Sequence, residues 1–126
     1  MNEQQTTEDV LAANEAFYVA FRTQDYATME RLWSASSDIT VTHPGWPALT
    51  GRDNVMESWY RILLVGTPPN VHALDPHVLL HGKTAMVTCT EDLGNARLIA
   101  TNTFVLEGDA WLMVNHQAEH FPNQVH

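Results

Sequence analysis

The chain is predicted to fold as an α+β layer protein, in which helices cover one curved face of an antiparallel sheet. Three observations carry that prediction. Apolar residues recur at helical spacing through three segments up to about residue 65. From Val71 the period changes to two, over 71–81, 84–92, 97–106 and 110–121. The separators Gly82-Lys83, Leu93-Gly94-Asn95 and Glu107-Gly108-Asp109 are short enough for hairpins, so the strands read as a meander.

The first helix is expected to start at Thr6 or Thr7, whose hydroxyl caps free amides while Glu8 and Asp9 oppose the helix dipole. Val10, Leu11, Ala13, Phe17, Tyr18, Ala20 and Phe21 supply its apolar stripe. After a break at Thr23-Gln24, Asp25 caps a short second helix with Tyr26, Met29, Leu32 and Trp33 on its apolar side. Alternation in Asp38-Ile39-Thr40-Val41-Thr42-His43 predicts a strand that ends at Pro44-Gly45. The segment 44–51, with two prolines and two glycines, is expected to be a structured loop. Asp53 is expected to cap a third helix along Val55, Met56, Trp59, Tyr60, Leu63 and Leu64, stopped by Gly66 and Pro68-Pro69.

With 126 residues and 44% apolar content the chain is expected to form one domain, residues 1–126, around one core. Its 15 acidic and 6 basic residues give a formal charge of -9, which argues against nucleic acid and anionic membranes as partners. The polar, acidic start lacks the pattern of a signal peptide, and no apolar run approaches the ~20 residues that cross a bilayer. A soluble, cytoplasmic protein is the expectation. The single Cys89 cannot form an internal disulfide and reads as a packed thiol.

A set of short motifs in a fixed order carries a resemblance. They are Gln24-Asp25-Tyr26 at the bend of the helical hairpin, Leu32-Trp33, Val41-Thr42-His43-Pro44-Gly45, Leu49-Thr50-Gly51-Arg52-Asp53 and Trp59. Ala100-Thr101-Asn102-Thr103-Phe104 and Trp111-Leu112-Met113-Val114-Asn115-His116 complete it. In this pattern the chain resembles the nuclear transport factor 2-like superfamily, which includes ketosteroid isomerase and the SnoaL-like polyketide cyclases. The resemblance implies a cone: a strongly curved antiparallel or mixed sheet around a long N-terminal helix with two further helices. It also implies a pocket at the mouth for a small, mostly apolar molecule, and homodimers paired through the open sheet face.

Carried over residue by residue, the isomerase's catalytic carboxylate base falls on His43, its phenolic donor on Phe17, and its oxyanion-binding acid on Asn102. Phe17 has no hydrogen-bonding group, and its neighbour Tyr18 points about 100° away on a helix. Steroid isomerisation is therefore not expected, since losing one such donor costs ~10²-fold or more.

The residues themselves point the same way. His43 sits at a strand end, where an imidazole can serve as base or acid near neutral pH, or simply cap a turn. Asn102 interrupts the row Leu98, Ala100, Phe104 and Leu106, so it is either a polar anchor in the cone or an internally bonded amide. His116 shares a face with Leu112, Val114 and Ala118, opposite Trp111, Met113, Asn115 and Gln117. Which face lines the cone is open, and a core or interface histidine is the first reading of His116. Glu91, if inward, can pair with an imidazole. Phe17, Tyr18, Trp46, Trp59 and Phe104 complete the candidate binding wall, with Trp46 near the mouth.

His116-Gln117-Ala118-Glu119-His120 matches an inverted zinc-protease pattern, but on a strand its histidines lie about 13 Å apart. No metal or other cofactor is expected. His72, His77, His81 and His126 read as surface residues. Two functions follow: a cofactor-independent acid-base enzyme (isomerase, cyclase, dehydratase or hydrolase type) on a compact apolar carbonyl compound, or a dimerisation or protein-interaction module. The second uses exposed Trp111 and Met113 on the sheet.

Overall fold

Asn2, not Thr6 or Thr7, caps the first helix: its Oδ1 accepts from the Gln5 amide at 2.7 Å, and α1 runs from Glu3 to Arg22. Asparagine ranks above threonine as a cap, so the earlier site wins. The computed structural model describes residues 2–121; His126 lies outside them. Val10, Asn14, Phe17, Tyr18 and Phe21 form the buried face of α1. The chain then turns through Gln24 in the left-handed region (φ 61) into α2, Tyr26–Leu32, which Asp25 caps.

The predicted strand shortens to β1, Thr40–Thr42, with His43 just beyond it. The expected loop over 44–51 ends in a second short strand, β2 (Leu49–Thr50), antiparallel to β1. Gly51 with φ 88 holds the N-cap of α3, Arg52–Tyr60, so Asp53 falls in the first turn instead of capping it. A π-helical turn, Arg61–Val65, follows directly. Near the end of this turn the carbonyl of Leu63 accepts from Gln24 Nε2 at 2.8 Å, which ties the bend to the turn.

Four strands complete the chain: β3 (His72–His81), β4 (Thr84–Asp92), β5 (Arg97–Glu107) and β6 (Ala110–His120). They form one sheet in the order β2-β1-β6-β5-β4-β3, antiparallel throughout except that β1 runs parallel to β6. That parallel pair makes the sheet mixed and puts the end of β1 beside the middle of β6, with Val41 opposite His116.

Alternation turns Ala85, Val87, Cys89 and Glu91 of β4, and Leu98, Ala100, Asn102 and Phe104 of β5, onto the helix-covered face. On β6 the period is broken. Thr103 pairs with Asn115 and Phe104 with Met113, which leaves Val114 as a bulge residue. Both Trp111 and Met113 before it and His116 and Ala118 after it are therefore buried. The expectation that Trp111 and Met113 form an exposed dimer contact is overturned: they are 7% and 0% exposed.

Candidate active site

Three titratable side chains converge on one otherwise apolar pocket of about 210 Å³. His43 comes from the end of β1, Glu91 from β4 and His116 from β6, and Trp46 stands at the rim. Phe21, Pro44, Ile62, Pro69, Leu93 and Leu98 supply the rest of the wall. Among the described residues no lysine or arginine lines it.

His43 is fixed from below by α3. Ser58 Oγ donates to the Val55 carbonyl at 2.7 Å and lies 2.9 Å from His43 Nε2. The hydroxyl has one proton, so Nε2 carries the ring hydrogen and donates it to Ser58. Nδ1 keeps its lone pair and has no partner among the described residues. Trp46 and Trp59 meet the ring edge-on, with centroids at 5.0 and 4.8 Å. Burial pulls the imidazole from 6.5 down to about 4, so it is neutral near pH 7.

His116 is oriented by Asn102, whose Oδ1 stands 2.6 Å from Nδ1. An amide oxygen only accepts, so Nδ1 carries the hydrogen and Nε2 the lone pair. Asn102 Nδ2 donates to Asn14 Oδ1 at 2.8 Å and to the Tyr18 hydroxyl at 3.1 Å. That hydroxyl in turn donates to Glu91 Oε2 at 2.7 Å. Burial, and secondarily His43, pushes His116 down to about 3. Burial raises Glu91 to about 7 against the Tyr18 hydrogen bond, which lowers it. The Tyr18 phenol itself is raised well above 10.0, chiefly by burial and then by Glu91, so it remains a proton donor.

Of the residues singled out from the sequence, His43, Trp46, Glu91 and His116 thus line the pocket together. Tyr18 stands behind Glu91 as its donor, one residue from Phe17, which carries the isomerase's phenol position. Phe17 and Trp59 pack against His116 at 4.9 and 5.7 Å and support the site without lining it. Phe104 is core. Asn102, read from the sequence as either a polar anchor or an internally bonded amide, is fully buried outside the pocket lining, with its oxygen and its amide group engaged inside the protein, and it orients His116.

Asn14 and Ser58 were not anticipated. Each interrupts an apolar helix face, the same signal that picked out Asn102. The segment from His116 to His120 lies on β6, with His116 buried and His120 exposed, and His72, His77 and His81 are exposed on β3. Among the described residues no cluster of three His, Cys, Asp or Glu side chains is placed to hold a metal ion. No helix among them is long and apolar enough to cross a membrane.

The fold and this pocket define a helix-filled sheet cone with acid-base groups at its mouth. Residues 10–122 match the family model of the SnoaL-like domain, and the chain belongs to that family, within the nuclear transport factor 2-like superfamily. A Streptomyces avermitilis structure described as a "putative dehydratase from the NTF2-like family" is similar, at 32% identity and a TM-score of 0.88. The match covers 97% of this chain and 100% of that one. A Thiobacillus denitrificans structure described as a "Putative calcium/calmodulin-dependent protein kinase type II association domain" shares the fold at 24% identity and TM-score 0.76, covering 88% and 94% of the two chains. A cystatin-like protein from Nostoc punctiforme does so at 11% identity and TM-score 0.74, over 93% and 92%. No curated protein matches the chain.

Proposed function

We propose that this protein is an acid-base enzyme, in its simplest form a dehydratase, acting on a compact, uncharged β-hydroxy carbonyl compound. One observation carries the reading: His43, with one ring nitrogen unengaged, and Glu91, whose carboxyl pKa is raised by burial to about 7, line the same apolar pocket. Groups whose environments pull their pKa values apart make an acid and base pair. His43 Nδ1 takes the proton from the carbon next to the carbonyl, and that C–H electron pair forms the new double bond. The C–O bond then breaks, and Glu91, as the protonated acid, completes the departing hydroxyl as water. His43 is left protonated and Glu91 ionised, so one proton returns between them before the next turnover. The chemistry needs only groups that the chain supplies. The similarity to the Streptomyces avermitilis protein supports the dehydratase form.

A panel of β-hydroxy ketones, aldehydes and esters, followed by absorbance of the conjugated product and by mass loss of water, tests the reading. Turnover is expected, and Glu91→Gln or His43→Gln should lower it by about 10²-fold or more. Loss-free variants, or no turnover across the panel, would overturn it.

Self-association is a second, compatible reading, supported by the outer sheet face. Leu79 and Met86 pair there at 62% and 39% exposure, and Ile99 is 37% exposed. The expected species is a dimer by light scattering, which Leu79→Asp should convert to monomer; a wild-type monomer at micromolar concentration rejects it.

A further inference from the structure

Glu91, Tyr18, Asn102 and His116 close a ring of polar contacts behind the pocket. Its direction follows from which atoms can donate. His116 Nδ1–H points to Asn102 Oδ1 (2.6 Å), Asn102 Nδ2–H to the Tyr18 oxygen (3.1 Å), and the Tyr18 proton to Glu91 Oε2 (2.7 Å). The ring closes where Glu91 Oε2 meets His116 Nε2 at 3.8 Å. At that last contact, donor assignments elsewhere leave a carboxyl oxygen near an imidazole lone pair, at a separation beyond hydrogen-bond length, so a shared proton requires the two atoms to close by about 1 Å. Two acceptors brought close in a buried site repel, and a proton taken up between them relieves that repulsion and draws them together.

We propose that Glu91 and His116 act as one proton-sharing pair, with Asn102, Asn14 and Tyr18 as positioning residues that hold it. This rests on the acid-base reading of the pocket and adds a second proton carrier to it. Transfer is balanced within the pair: the Oε2–H bond breaks with its electrons left on the carboxylate, and the Nε2 lone pair takes the proton to give an imidazolium. Asn102 is suited to both states, because its oxygen accepts from Nδ1–H whether the ring is neutral or charged. Asn14 fixes the amide the right way round by accepting from Nδ2 at 2.8 Å.

The pair also lies on the return path that the dehydration needs. The His116 ring is 6.3 Å from that of His43, centroid to centroid, and its Nε2 is 3.8 Å from Glu91 Oε2, so His116 neighbours both the protonated base and the spent acid. The groups facing Glu91 are few. Tyr18 comes from α1, Cys89 from its own strand, His116 from β6 and His43 from beyond β1. Its partners opposite on β3 and β5 are the uncharged Ala73 and Leu98.

Isotope-labelled protein without substrate provides the test, through long-range proton-nitrogen spectra of the histidines and carbon spectra of the carboxyl groups during a pH titration. His116 is expected in the Nδ1–H form, with a bare Nε2 whose signal moves with the same midpoint as the Glu91 carboxyl. Glu91→Gln should erase that midpoint from His116. Tyr18→Phe, which removes a hydrogen bond to the carboxylate, should move the shared midpoint upward by at least about half a pH unit. An Nε2–H tautomer, an Nε2 signal that ignores the Glu91 transition, or a midpoint that survives Glu91→Gln would overturn the proposal. Because no turnover is involved, such a result would leave the His43 and Glu91 assignments to the activity panel, and a failed panel would leave the shared proton standing.

Discussion

Asn102 has both of its side-chain polar groups engaged inside the protein, whereas His43 keeps one ring nitrogen free, and the two should respond oppositely to removal. Asn102→Leu strands the Asn14 oxygen and the His116 Nδ1–H and takes a donor from Tyr18, all in a fully buried setting. A loss of more than about 3 kcal/mol in urea titrations is expected. His43→Leu removes a desolvated imidazole and leaves Ser58 bonded to the Val55 carbonyl, so stability should stay within about 1 kcal/mol of wild type. An equal, large loss from both would make His43 structural and end its part as base. Glu91 has its own signature. Its folded pKa of about 7 lies above the unfolded 4.5, so the folded state holds the proton longer and stability falls as pH rises from 4.5 to about 7. Glu91→Gln lacks that loss. Relative to wild type it should gain about 3 kcal/mol across this window and nothing further above it. The opposite contribution of His43, whose pKa is lowered by burial and which costs stability as pH falls below 6.5, is present in both proteins and cancels in the comparison. A flat difference across the window would mean that Glu91 is an ordinary carboxylate.

The bend at Gln24 links two elements that build the pocket wall. Its amide holds the Leu63 carbonyl of the π-helical turn, whose neighbour Ile62 lines the pocket, while its backbone sits at φ 61, where glycine is at ease and alanine is strained. Both Gln24→Gly and Gln24→Ala lose the clip, but only alanine retains the strain. Thermal melts should place the alanine variant about 1 kcal/mol below the glycine variant; equal melts would show that the bend is not strained. Elements of this kind also mark where the sequence could be read and where it could not. The helical hairpin and the four strands follow from a period of 3.6 that becomes a period of two, and each strand lies within a residue or so of its expected limits. The inward face of β6 does not follow, because Val114 is one residue too many and shifts the phase midway. Any strict alternation must then put either Trp111 and Met113 or His116 and Ala118 on the wrong side. The position of His43 is legible because a strand ends there. The donor directions that make Asn102 a support for His116 depend on Asn14 and Tyr18, which lie 88 and 84 residues away along the chain.

At the scale of the whole molecule, charge and volume select the ligand together. The chain carries a formal charge of -9, and its pocket holds two neutral imidazoles and a carboxyl group with no cation among its lining residues. An anion would thus approach against the overall field and be buried without a counter-charge. The space, about 210 Å³, suits a compact molecule or the compact end of a larger one. A matched pair of ligands separates this from mere hydrophobicity: a small β-hydroxy ketone and the carboxylate of the same shape. Trp46, 42% exposed and at the pocket rim, offers an emission signal for both. At neutral pH the carboxylate should bind at least about 100-fold more weakly, a gap of about 2.8 kcal/mol. The gap should narrow in acid as the ligand takes up its proton. Equal binding of the two at neutral pH would mean that a group outside the pocket lining compensates the charge, and the restriction to uncharged substrates would fall.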